Sequence, residues 1–300
     1  MQKIGSGALL AGWLVLAAGC SAMPDGTRAP ANDLSGPTKG AGGVPIAWEE
    51  RGRSTGGPTL VLIHGWNCDR RYWEPAMAAL EDDYRLVAVD LGGHGESGSG
   101  RQAWTIGSFG EDVAAVVRRL DLERVVLVGH SMGGLVALEA AGRLPGRVTA
   151  VVGVDTFQAV EETPPADLDA QLEPFRRDLG KALRMLDRVF FTPATEPELE
   201  DWIRRDMAAA PVEISVPALE SLARYDESAA LTALQVPVGA INADIRPTDA
   251  EALRRARPGF ELVIVEGAGH FLMMERPERF ALELDRLIGG WTAVMPAPGG

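Results

Sequence analysis

Histidine and cysteine are scarce in this chain, with four of the first and two of the second among 300 residues. So few imidazoles and thiols leave little material for a metal site, and neither a P-loop nor an H-E-x-x-H run occurs. Basic residues are also short: 29 Lys and Arg stand against 42 Asp and Glu, a net charge of -13. An acidic protein repels phosphate backbones, which argues against nucleic acid as a partner. No internal repeat of any period is present. The one strongly apolar run, from Ile4 to Gly19 and broken only by Ser6, is short for a membrane span. What the chain does have is 46% hydrophobic residues and an ordinary 24% charged ones, enough for a sizeable core in one or two domains.

The opening "MQKIGSGALLAGWLVLAAGC" carries one cation, Lys3, then the apolar run and a small-residue ending, the pattern of an export signal over residues 1–19. Its end, "LAAGC", resembles the lipobox of bacterial lipoproteins, with Ala17 where Leu is commonest. That resemblance implies cleavage before Cys20 and acylation of Cys20. Acyl chains contribute roughly 0.8 kcal/mol per buried CH₂, so two or three would anchor the protein stably to a membrane. Ser21 after the cysteine implies sorting to an outer membrane where the host has one. With Cys20 lipidated, Cys68 has no disulfide partner and reads as a small, partly buried side chain. Residues 20–43 are rich in Pro, Gly and Ala and poor in large apolar groups, as in a flexible tether spanning roughly 25 Å.

From Val44 the pattern alternates. Strand-like "VPIAWEERG", "TLVLIHG", "YRLVAVDL", "RVVLVGH", "VTAVVGVD", "VPVGAIN" and "FELVIVEG" are interleaved with helix-like segments such as "IGSFGEDVAAVVRRL", "GGLVALEAAGRL" and "PERFALELDRLIGG". Near-continuous apolar strands alternating with helices predict an α/β fold, a mostly parallel doubly wound sheet covered on both faces. Residues 159–231 break the pattern. Leu168, Leu172, Phe175, Leu179, Leu183, Leu186 and Phe190 recur at helical spacing, as do Leu199, Trp202, Ile203 and Met207. This is a helical cap inserted between late strands of a core made of residues 44–158 and 232–292, with a frayed tail at 293–300.

The segment "RVVLVGHSMGGLVALEAAG" puts Ser131 at an abrupt strand-to-helix junction with Gly129 and Gly133 two residues away on either side. This is the G-x-S-x-G nucleophile elbow, in which small neighbours let the turn close and the hydroxyl stands above the sheet. A serine needs a base. His130 adjoins Ser131 and should point away; His64 and His94 precede the serine and read as structural. His270, in the Gly-rich turn "VEGAGHF" after a late strand, is left as the base. The acid should lie between serine and histidine in the chain. Asp244, after the penultimate strand, is the expected acid, and Asp155, at the end of the strand after the elbow helix, is the alternative. The oxyanion donors should be the backbone N–H groups of Met132, at a helix N-terminus, and Trp66, after "LVLIHG". A G-x-G-x-x-G match at Gly93, Gly95 and Gly98 opens no helix, so it is not a dinucleotide site.

Together "LIHGW", "DLGGHGESG", "VGHSMGG", the acid-bearing loop and "GAGHFLMMERPERF" resemble the α/β-hydrolase superfamily, in that family's order. The resemblance implies Ser131, Asp244 and His270 as the triad and Trp66 and Met132 as oxyanion donors, with no cofactor. One departure, "INAD" where many members have a G-x-x-D loop, keeps Asp155 open. The expected activity is that of a lipid-anchored carboxylesterase on a small or medium ester. Lipase, thioesterase, lactonase or carbon–carbon bond hydrolase chemistry on the same residues is the alternative, and a non-catalytic ligand-binding protein the alternative of another class. Oligomeric state is not encoded in any pattern here.

Overall fold

The computed structural model describes residues 38–54, 56–159 and 166–294. The expected signal segment, Cys20 and most of the tether lie outside the described residues, as does most of the expected tail.

The chain begins with a small hairpin, β1 (Thr38–Lys39) against β2 (Pro45–Ile46), and continues into β3 (Trp48–Arg51) and β4 (Thr59–Ile63). Helix α1 (Glu74–Leu80), β5 (Arg85–Val89), α2 (Ile106–Arg119), β6 (Val125–His130), α3 (Met132–Gly142) and β7 (Val148–Val154) follow. Six helices come next: α4 (Leu168–Arg177), α5 (Leu179–Leu183), α6 (Asp187–Phe190), α7 (Pro197–Ala208), α8 (Val212–Ala223) and α9 (Glu227–Ala233). The chain then returns through β8 (Val238–Ala243), α10 (Ala250–Ala256), β9 (Glu261–Val265), α11 (Leu272–Glu275) and α12 (Pro277–Val294).

Seven strands form one sheet in the order β3-β5-β4-β6-β7-β8-β9, parallel except for β3. β6 and β8 are buried along their whole length, which explains their unbroken apolar runs, while β9 at the edge alternates poorly and is half exposed. Helices α1 and α12 pack together, as do α2 and α3. The chain passes from β4 to β5 on one side and then crosses to β6 on the other. That reversal opens a crevice at the carboxyl ends of the strands, where open α/β sheets bind ligands. A layer of small residues, Gly129, Gly153 and Ala240, stands in register across β6, β7 and β8 just below that edge.

The six helices α4 to α9 occupy the break predicted between late strands. Leu168, Leu172, Phe175, Leu179 and Leu183 are buried, as the spacing requires, and Leu186 and Phe190 are half-buried against the core. One difference concerns the start of the fold. Order reaches back to Thr38, inside the segment expected to be tether: Thr38 is buried, and the Ala41 N–H donates to the Asp112 carboxylate on α2 at 2.9 Å. A composition-based expectation could not see this, because the partner that organises the hairpin sits more than seventy residues away.

Candidate active site

β6 ends at His130 and α3 starts at Met132, so Ser131 alone makes the turn. It does so at φ 51° and ψ -121°, a left-handed conformation that costs a non-glycine residue of order 1–3 kcal/mol. The surroundings hold it there. The Ser131 N–H donates to the Val154 carbonyl at 2.9 Å, and its own carbonyl accepts from the Gly134 N–H at 2.9 Å. A Cβ on Gly129 would fall on the Gly133 carbonyl, and one on Gly133 on the Ile63 and His64 carbonyls. The two glycines are therefore the space that lets α3 start this close to β4 and β6.

Register sets what faces the serine. His130 pairs with Val154 and Val154 with Ile241, so Ser131 and Asp155 are the first residues beyond adjacent strand ends. His270, between β9 and α11, is buried, and its Nδ1 lies 2.5 Å from Oδ2 of Asp155. The carboxylate that meets the histidine is thus Asp155. Asp244, the acid expected after the penultimate strand, is exposed, and its Oδ1 accepts the Gly267 N–H at 2.9 Å instead. The reason is local: Asp244 lies one residue past β8 in a tight turn, where its carboxylate ties that turn to the loop after β9. Asp155, at φ 46°, is swung by a left-handed backbone toward the imidazole.

The electrostatics of Asp155 follow from what surrounds it. Burial alone would raise its carboxyl. The His270 bond and charge, the Arg246 guanidinium with Nη2 at 3.6 Å, and the Ala243 N–H at 3.0 Å outweigh burial and hold it below the ordinary carboxylate range. With Nδ1–H donated to this anion, the Nε2 lone pair of His270 is left as acceptor. His130 sits behind the pair: its ring centroid is 4.6 Å from that of His270, and its Nε2–H donates to the His270 carbonyl at 3.0 Å. Rather than merely pointing away from the serine, His130 braces the loop that carries His270. From the cap, the Phe190 carbonyl accepts the His270 N–H at 2.8 Å, and the Phe190 ring stacks on the imidazole at 5.1 Å, 9° from parallel.

The turn after β4 completes the site. A Cβ on Gly65 would come within 3.3 Å of the Ser131 Cβ, which measures how closely the Gly65–Trp66 peptide passes the serine. The N–H groups of Trp66 and Met132 are therefore carried on the two segments that flank Ser131. Below them His64 is fully buried and neutral: its Nδ1–H donates to the Gly65 carbonyl at 2.8 Å, and its Nε2 accepts the Leu91 N–H at 3.0 Å. Cys68 is a buried free thiol pushed well above its ordinary pKa by burial, as befits a packing residue. His94 is likewise buried beside His64.

Sequence patterns gave no warning of Arg246 or Ser215, and placed Phe190 only on an apolar stripe of the cap. Asn67 offered one signal: Asn tolerates positive φ, and it adopts φ 55° directly after the Trp66 donor. Among the described residues no group of three or more His, Cys, Asp or Glu is placed to hold a metal ion.

Residues 60–284 match the family described as Alpha/beta hydrolase family. The chain is 28% identical over 242 residues to the AB hydrolase superfamily protein YisY of Bacillus subtilis (strain 168), covering 74% of this chain and 88% of that protein. It is 27% identical over 258 residues to the pimeloyl-[acyl-carrier protein] methyl ester esterase of Aliivibrio salmonicida, covering 81% and 95% respectively. A solved thermophilic esterase from Thermogutta terrifontis superposes with a TM-score of 0.73 at 28% identity, over 85% of this chain and 97% of that one.

Proposed function

The chain belongs to the alpha/beta hydrolase family, and from that premise we propose that it is a carboxylesterase acting on a small or medium ester through an acyl-enzyme on Ser131. The observation that carries this reading is the 2.5 Å contact between His270 Nδ1 and Asp155 Oδ2 at the strand end beside the strained Ser131. Asp155 fixes the tautomer, so His270 Nε2 takes the Ser131 proton as Oγ attacks the ester carbonyl. The tetrahedral oxyanion is held by the Trp66 and Met132 N–H groups, the second reinforced by the α3 dipole. The protonated His270 then gives its proton to the departing alkoxide. Water, deprotonated by the same imidazole, attacks the acyl-enzyme and releases the acid. The named esterases among the similar proteins support this chemistry.

A fluorophosphonate probe tests it. The wild-type protein is expected to label at Ser131 and to hydrolyse short p-nitrophenyl esters, with both activities abolished in Ser131→Ala and His270→Ala. A folded wild-type protein that neither labels nor turns over any ester in a chain-length panel would overturn the proposal in favour of a ligand-binding role.

We further propose that the protein is exported and anchored by lipid on Cys20, on the strength of the "LAAGC" motif. Among the described residues no helix is long and apolar enough to cross a membrane. The protein is expected to pellet with membranes and to need detergent for extraction, and Cys20→Ala to release it. A Cys20→Ala protein that still pellets would place the anchor elsewhere.

A further inference from the structure

The turn that carries the Trp66 N–H is not held by the core alone. The Trp66 indole N–H donates to the Ser215 carbonyl at 2.8 Å, and the Asn67 amide donates to the Ser215 Oγ at 2.8 Å and to the Met207 carbonyl at 3.4 Å. Ser215 lies on α8 and Met207 on α7, so both acceptors belong to the cap. Ser215 is fully buried, Trp66 and Asn67 nearly so, and the Trp66 ring meets Phe175 of α4 edge-on at 5.7 Å. Asn67 holds φ 55°, a left-handed turn that asparagine tolerates, directly after Trp66.

We propose that Ser215 is a positioning residue that ties the cap to the oxyanion loop, so that the Trp66 donor is aimed at Ser131 only while the cap is seated. A hydroxyl and a carbonyl of one residue take both side-chain donors of a dipeptide, and buried hydrogen bonds of this kind fix geometry tightly. The Asn67 Oδ1 is itself buried without a partner, so with the Ser215 hydroxyl gone only the longer 3.4 Å bond to the Met207 carbonyl would hold this side chain. Oxyanion donors act only when aimed at the position the developing charge will occupy, so a small displacement costs rate and not ground-state binding. The cap then becomes part of the catalytic apparatus: lifting it breaks the bonds that shape the hole.

This rests on the acyl-enzyme reading of Ser131. The test compares wild type, Ser215→Ala, Ser215→Thr and Trp66→Phe on p-nitrophenyl butyrate, with kcat and KM resolved, together with fluorophosphonate labelling rates. Ser215→Ala is expected to lower kcat by about tenfold with KM within about twofold, to slow labelling similarly, and to be largely rescued by Thr, which keeps the hydroxyl. Trp66→Phe removes the indole N–H and leaves a smaller aromatic ring facing Phe175; it reads the same coupling if Ser215→Ala fails to fold, and a similar loss of kcat is expected. A folded Ser215→Ala protein with unchanged kcat and labelling rate, or a folded Trp66→Phe protein with unchanged kcat, would overturn the proposal. Failure of the wild type itself to label at Ser131 would instead overturn the hydrolase reading beneath it.

Discussion

The two candidate acids show what a single residue's backbone decides. Asp155 and Asp244 both lie between serine and histidine in the chain and both follow a strand at the same sheet edge, so order and topology cannot separate them. The distinction is made by φ 46° at Asp155, by its register opposite Ser131, and by the Gly267 N–H that occupies Asp244. Asp155→Asn is accordingly expected to lower kcat by on the order of 10³–10⁴-fold, since an amide stabilises the wrong tautomer of His270. Asp244→Asn should remain within a few fold of wild type. Side-by-side ester assays decide it: loss on Asp244→Asn with activity kept in Asp155→Asn would reverse the assignment. Ser131 and His270 were legible because an elbow needs a recognisable pair of glycines and because only four histidines compete for one role. Which carboxylate meets His270 was not, because torsion angles leave no mark in residue identity.

Arg246 belongs to the same scale. Its guanidinium lies 3.6 Å from the Asp155 carboxylate that would stabilise an imidazolium, so part of that negative charge is already compensated. Removing the cation takes away one of the influences that hold the Asp155 carboxyl low, and the pH profile of kcat/KM should change with it. Because Arg246 is partly exposed and screened, the effect is expected to be small. Arg246→Gln should show it and Arg246→Lys should not. A pH profile of the Gln variant that superimposes on wild type would mean that the guanidinium is electrostatically silent.

At the scale of elements, the alternating core was readable because parallel strands buried on both faces must be apolar throughout, and the cap because its apolar residues recur every three or four positions. The hairpin at Thr38–Ile46 was not, because its order is borrowed. Asp112 on α2, fully buried, accepts the Ala41 N–H at 2.9 Å, the Gly92 N–H at 3.0 Å and the Arg101 guanidinium at 2.7 Å. Arg101 in turn lies over the rings of Trp104 and Phe109 at 4.6 and 5.0 Å. One carboxylate thus joins hairpin, loop and helix, and burial already raises its pKa. Arg101→Ala would leave that carboxylate buried without its cation, a change that typically costs about 3–5 kcal/mol. Urea unfolding should report a loss of that order, and proteolysis should open the chain first near the hairpin. A loss below about 1 kcal/mol would mean that water or a rearranged loop replaces the guanidinium.

For the molecule as a whole, charge and buried histidine make opposite demands on pH. The net charge is -13 at pH 7 and the sequence pI about 4.8, so acidification toward the pI relieves self-repulsion. Three histidines oppose it. Burial lowers His64 to about 4 and His94 to about 3, and it pushes His130 well below the ordinary value of 6.5. Each is neutral when folded for a structural reason: His64 spends its Nε2 lone pair on the Leu91 N–H, the Nε2 of His94 is buried without a partner, and His130 lies against His270. The unfolded chain therefore binds more protons than the folded one below pH 6.5. Their contribution is complete above that value and is lost as pH falls through it, by up to about 1.4 kcal/mol per pH unit for each group. Stability from urea unfolding is thus expected to be highest above about pH 7 and to be lower by about 4 kcal/mol near pH 5.5, despite the reduced net charge. His94→Phe, which removes one proton-binding group beside His64, should flatten the slope by about a third even if it shifts the plateau. A stability curve that instead rises steadily toward the pI would show that self-repulsion outweighs the buried imidazoles.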